Sequence, residues 1–460
     1  MNPKIKQYFN ATDPSYTLFT RAEDTEKDKK YYIDFSSVRG GEVIQELKDH
    51  ITVWYSDRPT CQLFTGHIGS GKSTELLKLK LELEQENYHV VYFESSADLE
   101  MGDVDVGDIL LCITQRVSES LETLQAVNIP EPRGFKQLLQ GAAQLLQTEI
   151  EVSGTVEALG AKISASSEGK MEAEYGLPGI AQLKLGIGVI TDKTKASPEL
   201  RSKLRGYLEP RTNRLLEVIN QELFAPAQVQ LQELGKAGLV VIVDNLDRVT
   251  SANKDWDIQQ QEYLFVDRGE QLRALNCHVV YTMPLALRFS NEYSTLTQRF
   301  MNEVQVLPMI PIKHRDGSRC EEGMSLLKKL ILARIFPELP EGERSPKMTE
   351  IFDRAETCDR LCEMSGGHVR NFLRLFHDTL KRTKQLPLQQ DHFERTLSQY
   401  RHQRVLAIDD REWELLDQVA KTKRVAGTEA YQKLIRSQFV YEYRDTKGYW
   451  FDINPIIAQS

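Results

Sequence analysis

Between an apolar run at Cys61 to Thr65 and a stretch of helical periodicity beginning near Thr74, the chain reads Gly66-His67-Ile68-Gly69-Ser70-Gly71-Lys72-Ser73. Glycine at the first and sixth places, followed by lysine and serine, is the pattern of a phosphate-binding loop joining a strand to a helix. The residue types explain the pattern. With the glycines Gly66, Gly69 and Gly71 offering no side chain to obstruct it, the backbone of Gly66, His67, Ile68, Gly69, Ser70 and Gly71 can curl its N–H groups around an anion, and the following helix adds its positive N-terminal end. Lys72 supplies a mobile charge for the β- and γ-phosphates. The Ser73 hydroxyl is placed to ligate magnesium, while Thr74 carries the chain into the helix.

The chain has 460 residues, enough for two to four folding units, and 40% hydrophobic with 27% charged residues is ordinary globular composition. A formal charge of -9 argues against a dominant nucleic-acid surface, so any DNA binding has to come from a local patch. No apolar run approaches a membrane span, and the polar stretch Met1 to Ser15 lacks a signal-peptide core; the expected location is cytoplasmic, with no membrane partner. The six cysteines show neither zinc nor disulfide spacing. Cys358 and Cys362 fall with Ile351 and Ala355 on one helical stripe, which predicts burial rather than ligation.

Along the chain, strand and helix signals alternate. The helix after the loop carries Leu76, Leu79 and Leu83 on one face; His89 to Phe93 is a short strand ending in Glu94; Val106 to Leu124 is helical. Such alternation predicts a parallel sheet covered on both faces. The region from about 126 to 196 interrupts it: Pro130-Glu131-Pro132 breaks the chain, and Leu183, Leu185, Ile187 and Val189 alternate with Lys184, Gly186 and Gly188. That period of two predicts an insertion of one or two hairpins, either a partner surface or a decoration. Leu239 to Val243 is wholly apolar and ends in Asp244, as a central parallel strand does. A carboxylate at that strand end lies where open α/β sheets bind ligands, and Asp244 can hold magnesium opposite Ser73. A last strand, His278 to Tyr281, ends in Thr282, which either faces the γ-phosphate or caps the strand in solvent.

Taken together these motifs resemble the AAA+ and STAND-type P-loop ATPases, including their origin-recognition-like and KAP-like branches, from about Asp34 onward. The resemblance implies an α/β P-loop NTPase core with an α-helical lid and a C-terminal winged helix. Val38-Arg39-Gly40-Gly41 is similar to the box that cups adenine, which assigns Arg39 and Gly40 to the nucleotide, and Asp244-Asn245-Leu246-Asp247-Arg248 looks like an extended Walker B segment. Thr282 takes the sensor-1 place, and Arg299 falls where the origin-recognition branch carries an arginine near a subunit boundary. Ser365 to Arg370 opens a helix like the sensor-2 helix of the lid, so Arg370 is expected to reach the γ-phosphate and couple nucleotide state to domain angle. From about Val405 the chain reads as a winged helix: Trp413, Leu416 and Val419 mark one helix, Tyr431, Leu434 and Ile435 another, and a hairpin surrounds Asp445-Thr446-Lys447-Gly448. Arg436, Arg444 and Lys447 are its candidate phosphate contacts, diluted by Glu429, Glu442 and Asp445, which favours a packing role over DNA binding.

One departure stands out. AAA+ hydrolases place an acid directly after the Walker B aspartate, whereas this chain has Asn245, which orients water but cannot accept its proton. Asp247 or Glu94 is left for the base, and slow hydrolysis suits a switch better than a motor. The expected organisation is a polar leader over 1–33, an ATPase core over 34–312 with the insertion, a helical lid over 313–400 and a winged helix over 405–460. The expected activity is a magnesium-dependent ATP/ADP switch that assembles into a homo-oligomer in the ATP state and recruits a separately encoded effector, by family likeness in bacterial antiviral defence. The rivals are a DNA-associated loader or initiator and, lowest in rank, a small-molecule kinase.

Overall fold

A computed structural model describes residues 3–124, 129–130, 132–153, 179–251 and 259–458. Five parallel strands form the central sheet: β1 (Cys61–Gly66), β2 (His89–Glu94), β3 (Leu239–Asp244), β4 (His278–Thr282) and β5 (Gln305–Leu307), in the order β2-β3-β4-β1-β5. The apolar run at Leu239 becomes the strand predicted for it because it is covered on both sides. Val241 and Val243 point into one core with Leu63, Val91 and Tyr281, while Val240 and Ile242 point into another with Phe64, Leu76, Leu79 and Val280. Burial of every β3 side chain is what a central parallel strand requires. This strand order, with the phosphate-binding loop at the carboxyl end of β1 and the helix Lys72–Gln85 following it, is a P-loop NTPase fold.

The insertion differs from the expected hairpins. Its described residues form the helices Arg133–Ser153 and Gly179–Ala196, and the 25 or so positions between them lie outside the described residues. Ile187, Ile190 and Thr194 are buried at spacings of three and four, whereas Val189, assigned to the same side as Ile187 by alternation, is 46% exposed. Two glycines explain the misleading rhythm. A Cβ on Gly186 would stand 3.3 Å from Leu139 Cδ1, so glycine there serves close helix-to-helix approach rather than a strand. These helices and Pro198–Leu208 add Phe135, Ala142, Leu146, Leu204 and Leu208 to one face of the sheet.

After β5 come the helices Glu321–Ile335, Ala355–Ser365, Val369–Thr383 and Gln390–Val405. Ile351, Cys358, Cys362, Phe372 and Phe376 share their core, which accounts for the two cysteines, and no cluster of metal-ligating side chains occurs among the described residues. The expected leader is packed structure instead. Its helix Pro3–Ala11 sinks Ile5 and Tyr8 into this same core, and Phe9 stacks on His377 at 3.7 Å. Leu18, Phe19 and Tyr31 then pack on Leu77 of the loop helix.

The last elements are the helices Asp410–Thr422 and Glu429–Arg436 and an antiparallel hairpin of β6 (Val440–Asp445) and β7 (Gly448–Ile453). Leu416, Val419, Leu434 and Ile435 share a core with Leu285 and Val306, so this unit is fused to the edge of the central sheet. Met309 N–H donates to Glu442 O at 2.9 Å, tying β6 to the segment just after β5. No described helix is long and apolar enough to cross a membrane.

Candidate functional site

The loop takes the shape its glycines allow. Gly69 and Gly71 have φ of +91° and +109°, and Gly71 is followed at once by the helix that starts at Lys72. Lys72 Nζ donates to Gly66 O (2.8 Å) and His67 O (3.1 Å) and pairs with Asp247 (2.9 Å). All three ammonium donors are therefore engaged with the protein. Asp244, at the end of β3, accepts from Tyr92 OH at 2.8 Å and from the Ser73 hydroxyl. Burial, and then the nearby Asp247 carboxylate, push its carboxyl above the ordinary range.

One cleft of about 630 Å³ gathers Ile68, Gly69, Gly71, Lys72, Ser73 and Thr74 from the loop, Asp244, Asn245, Asp247 and Arg248 from the end of β3, and Val369, Arg370 and Leu373 from the helix Val369–Thr383. Arg370 is positioned through its own backbone, whose N–H donates to Gly69 O at 3.2 Å. Burial, with Arg248 and Arg374 close by, draws its guanidinium below the ordinary arginine range. Two like charges turned toward one space are suited to a polyanion.

Other candidates lie outside that wall. Gly66, His67 and Ser70 are behind it; a Cβ on Gly66 would meet Leu307 O at 2.6 Å. Arg39 is buried beneath the loop, where its Nη2 donates to Ser70 O at 2.7 Å and Glu75 lies 3.9 Å away. Gly40 sits under Arg444 of β6: a Cβ there would be 2.9 Å from Arg444 Cγ. Thr282 Oγ1 accepts from Leu246 N–H at 2.9 Å and donates to Val243 O, spending its hydroxyl on the β3 end. Glu94 accepts from Asn245 Nδ2 at 2.9 Å. Arg299, on the helix Tyr293–Phe300, donates to Asp267 O at 3.0 Å, away from the cleft wall.

Four contributors were not legible in the sequence. Tyr92 stands two residues before Glu94, and only the register that pairs β2 with β3 brings it to Asp244. The segment Pro14, Tyr16 and Thr17 and the side chain of Arg334 also line the cleft. Arg334 carried a faint signal, being a lone charge in the apolar run Leu330 to Ile335.

The fourth contributor is a clamp on the loop's far side. His368 caps its helix: Nδ1 accepts Asn371 N–H at 3.1 Å, so Nε2–H donates to Ile68 O at 2.9 Å. His67 Nε2 accepts Glu442 N–H at 3.0 Å, and Gln438 Nε2 donates to Ile68 O at 3.0 Å. The Tyr441 ring lies between the two imidazoles, 5.5 Å from His67 and 5.7 Å from His368, and its hydroxyl accepts from Asn371 Nδ2. Burial pushes His368 down to about 3 and His67 well below its usual range, so both rings are neutral near pH 7.

No family model and no curated protein matches the chain. Among solved structures it is similar to a Walker-type ATPase of Pyrococcus abyssi at 14% identity, over 98% of this chain and 99% of that one, with a TM-score of 0.39. It is also similar to Cdc6p from Pyrobaculum aerophilum at 12% identity, over 98% and 97% of the two chains, with a TM-score of 0.36. The fold assignment rests on the strand order and the place of the loop, not on these likenesses.

Proposed function

We propose that this protein is an ATP/ADP-binding switch of the AAA+ kind with slow, magnesium-dependent ATPase activity. The observation that carries the reading is the single cleft in which Lys72 and Ser73, Asp244 and Asp247, and Arg370 face one another from three separate parts of the chain. The loop binds the phosphates; Arg370, brought by the helical region, neutralises the terminal one and registers its loss.

Magnesium fits this donor set, because the Ser73 hydroxyl and the Asp244 carboxylate, hydrogen-bonded neighbours, are the oxygen ligands this ion takes. Ser73 and Asp244 would hold the ion, which when bound offsets phosphate charge. Asp247 is the base. Lys72 pairs with it at 2.9 Å; a phosphate that draws the ammonium away frees this carboxylate inside the cleft, whereas Glu94 lies outside the cleft wall. Asn245 then orients water without taking its proton. Activation that waits on breaking a buried ion pair favours slow turnover.

Asp247→Asn should lower the single-turnover hydrolysis rate about a hundredfold and leave nucleotide affinity equal or tighter. A rate equal to wild type, with Glu94→Gln slow instead, would reassign the base. The mass of the purified protein, measured with ADP and with a non-hydrolysable ATP analogue, tests the assembly step. A larger particle only with the analogue supports a homo-oligomer to which Arg299 of a neighbouring copy contributes, and an unchanged monomer favours a solitary sensor. For the DNA-loader reading, Arg444 is an unpromising contact, since its side chain packs on Gly40. Salt-sensitive duplex binding lost on neutralising Arg436 and Lys447 would revive it.

A further inference from the structure

Arg334 sits near the end of the helix Glu321–Ile335, is only 4% exposed, and forms part of the cleft wall with Lys72 and Arg370. Its Nε and Nη1 are shielded from water and have no acceptor. The faces of the guanidinium are covered by two aromatic rings, with Tyr31 at 5.2 Å and Tyr16 at 5.6 Å from its centre. Rings satisfy the faces of an arginine but not the donors in its plane.

The nearest carboxylates are committed elsewhere. Asp28 Oδ1 accepts from Tyr16 OH at 2.8 Å and its Oδ2 from Phe19 N–H at 2.7 Å. Asp13 Oδ1 accepts the backbone and hydroxyl of Ser15. They act on Arg334 through space, without an ion pair, and burial still draws its guanidinium below the ordinary range. Burying an arginine with in-plane donors unmet is costly, and the stacked tyrosines hold it in that state. A side chain kept so is prepared for an acceptor that arrives from outside.

We infer that Arg334 is a second phosphate-binding arginine of the cleft, oriented by Tyr16 and Tyr31 and directed at the oxygens of a nucleotide's phosphate chain. Only oxyanions match the demand: the in-plane fork of arginine pairs with two oxygens of one phosphate, and the cleft already carries Lys72, Arg248 and Arg370. The residue is delivered by the helical region, and its rings come from the first 31 residues, so nucleotide contact extends to a segment that looks like a leader in the sequence. This inference rests on the nucleotide-binding reading of the same cleft.

The test is a fluorescence titration of the full chain with ADP and with a non-hydrolysable ATP analogue, on wild type, Arg334→Met, Arg334→Gln and Lys72→Ala. Arg334→Met and Arg334→Gln are expected to weaken both ligands at least tenfold while the ligand-free melting temperature stays equal or rises, since an unsatisfied charge has been removed. A purely structural arginine would lower the melting temperature and spare affinity. If either variant binds within twofold of wild type while Lys72→Ala has lost binding, the Arg334 assignment is overturned and the nucleotide reading stands; if Lys72→Ala binds normally, the nucleotide reading itself fails. Should neither arginine variant fold, hydrogen exchange of unaltered protein decides: slower exchange at Ser15 to Thr17 on adding ADP supports the contact, and no change there overturns it.

Discussion

The phosphate-binding loop has two unlike sides. Toward the cleft it meets charge: Lys72 against Asp247, Asp244 near Asp247, and Arg370 and Arg248 in the same wall. Toward the C-terminal hairpin it meets His67, His368, Tyr441 and the backbone of Glu442, joined by neutral hydrogen bonds in a buried setting. The division has a physical logic. Charges clustered around a ligand's position repel or bind strongly and so respond to what arrives, whereas neutral imidazoles at fixed tautomers hold a backbone in place without adding a field. One side of the loop reacts and the other anchors it.

The largest expected effect breaks the reactive side alone. Lys72→Ala should raise the dissociation constant for ADP and for an ATP analogue at least a hundredfold, a loss of about 2.7 kcal/mol by titration. Unchanged affinity would remove the phosphate-cradle assignment. Gly69→Ala strikes the boundary between the sides, because the residue has φ of +91° and a Cβ would stand 2.5 Å from His368 Cε1. It should cost about 2 to 3 kcal/mol in urea unfolding and weaken nucleotide binding as well, since one displacement disturbs both faces. A variant as stable as wild type would mean that the anchor gives way freely.

The smallest effect sharpens the anchoring side through pH. Unfolded histidine titrates near 6.5, whereas folded His368 is held down to about 3 and His67 is lowered too, both chiefly by burial. Between those limits the unfolded chain binds protons that the folded chain refuses. Stability is therefore full above about pH 6.5 and falls as pH drops through the window, by about 1.4 kcal/mol per pH unit for each such imidazole. Urea unfolding from pH 7.5 to 5.5 should record the fall, and His368→Asn, which keeps a helix-capping side chain, should reduce it. An equal slope in that variant would place the titration elsewhere.

How far the chain announces all this depends on the range of the forces involved. The loop Gly66 to Ser73 and the strand Leu239 to Asp244 are legible because local composition alone dictates them: glycines for the nest, unbroken apolar residues for a strand covered on both faces. Burial of Cys358 and Cys362 is legible for the same reason, but the stripe is not one helix: Ile351 ends the separate helix Met348–Ile351, and Ala355, first in the helix of the cysteines, is exposed. Gly186 and Gly188 misled because a short alternation with glycine fits either period, and only the neighbouring helix at Leu139 decides between them. The packing of Ile5 and Tyr8 was not readable, since their partners stand more than 300 positions away, around Ile331 and Phe376. Nor were the partners of His67 and His368. A histidine in a glycine-rich loop names no acceptor, and the ones found here depend on how the hairpin docks.

His67 receives its hydrogen bond from Glu442, 375 residues later in the chain. On a ribosome adding about 5 to 20 residues per second, that interval is roughly 20 to 75 s, during which the loop has emerged but its brace has not been synthesised. A nascent chain in that window has the loop Gly66 to Ser73 without the Glu442 N–H that braces His67, so this support joins the loop late in synthesis.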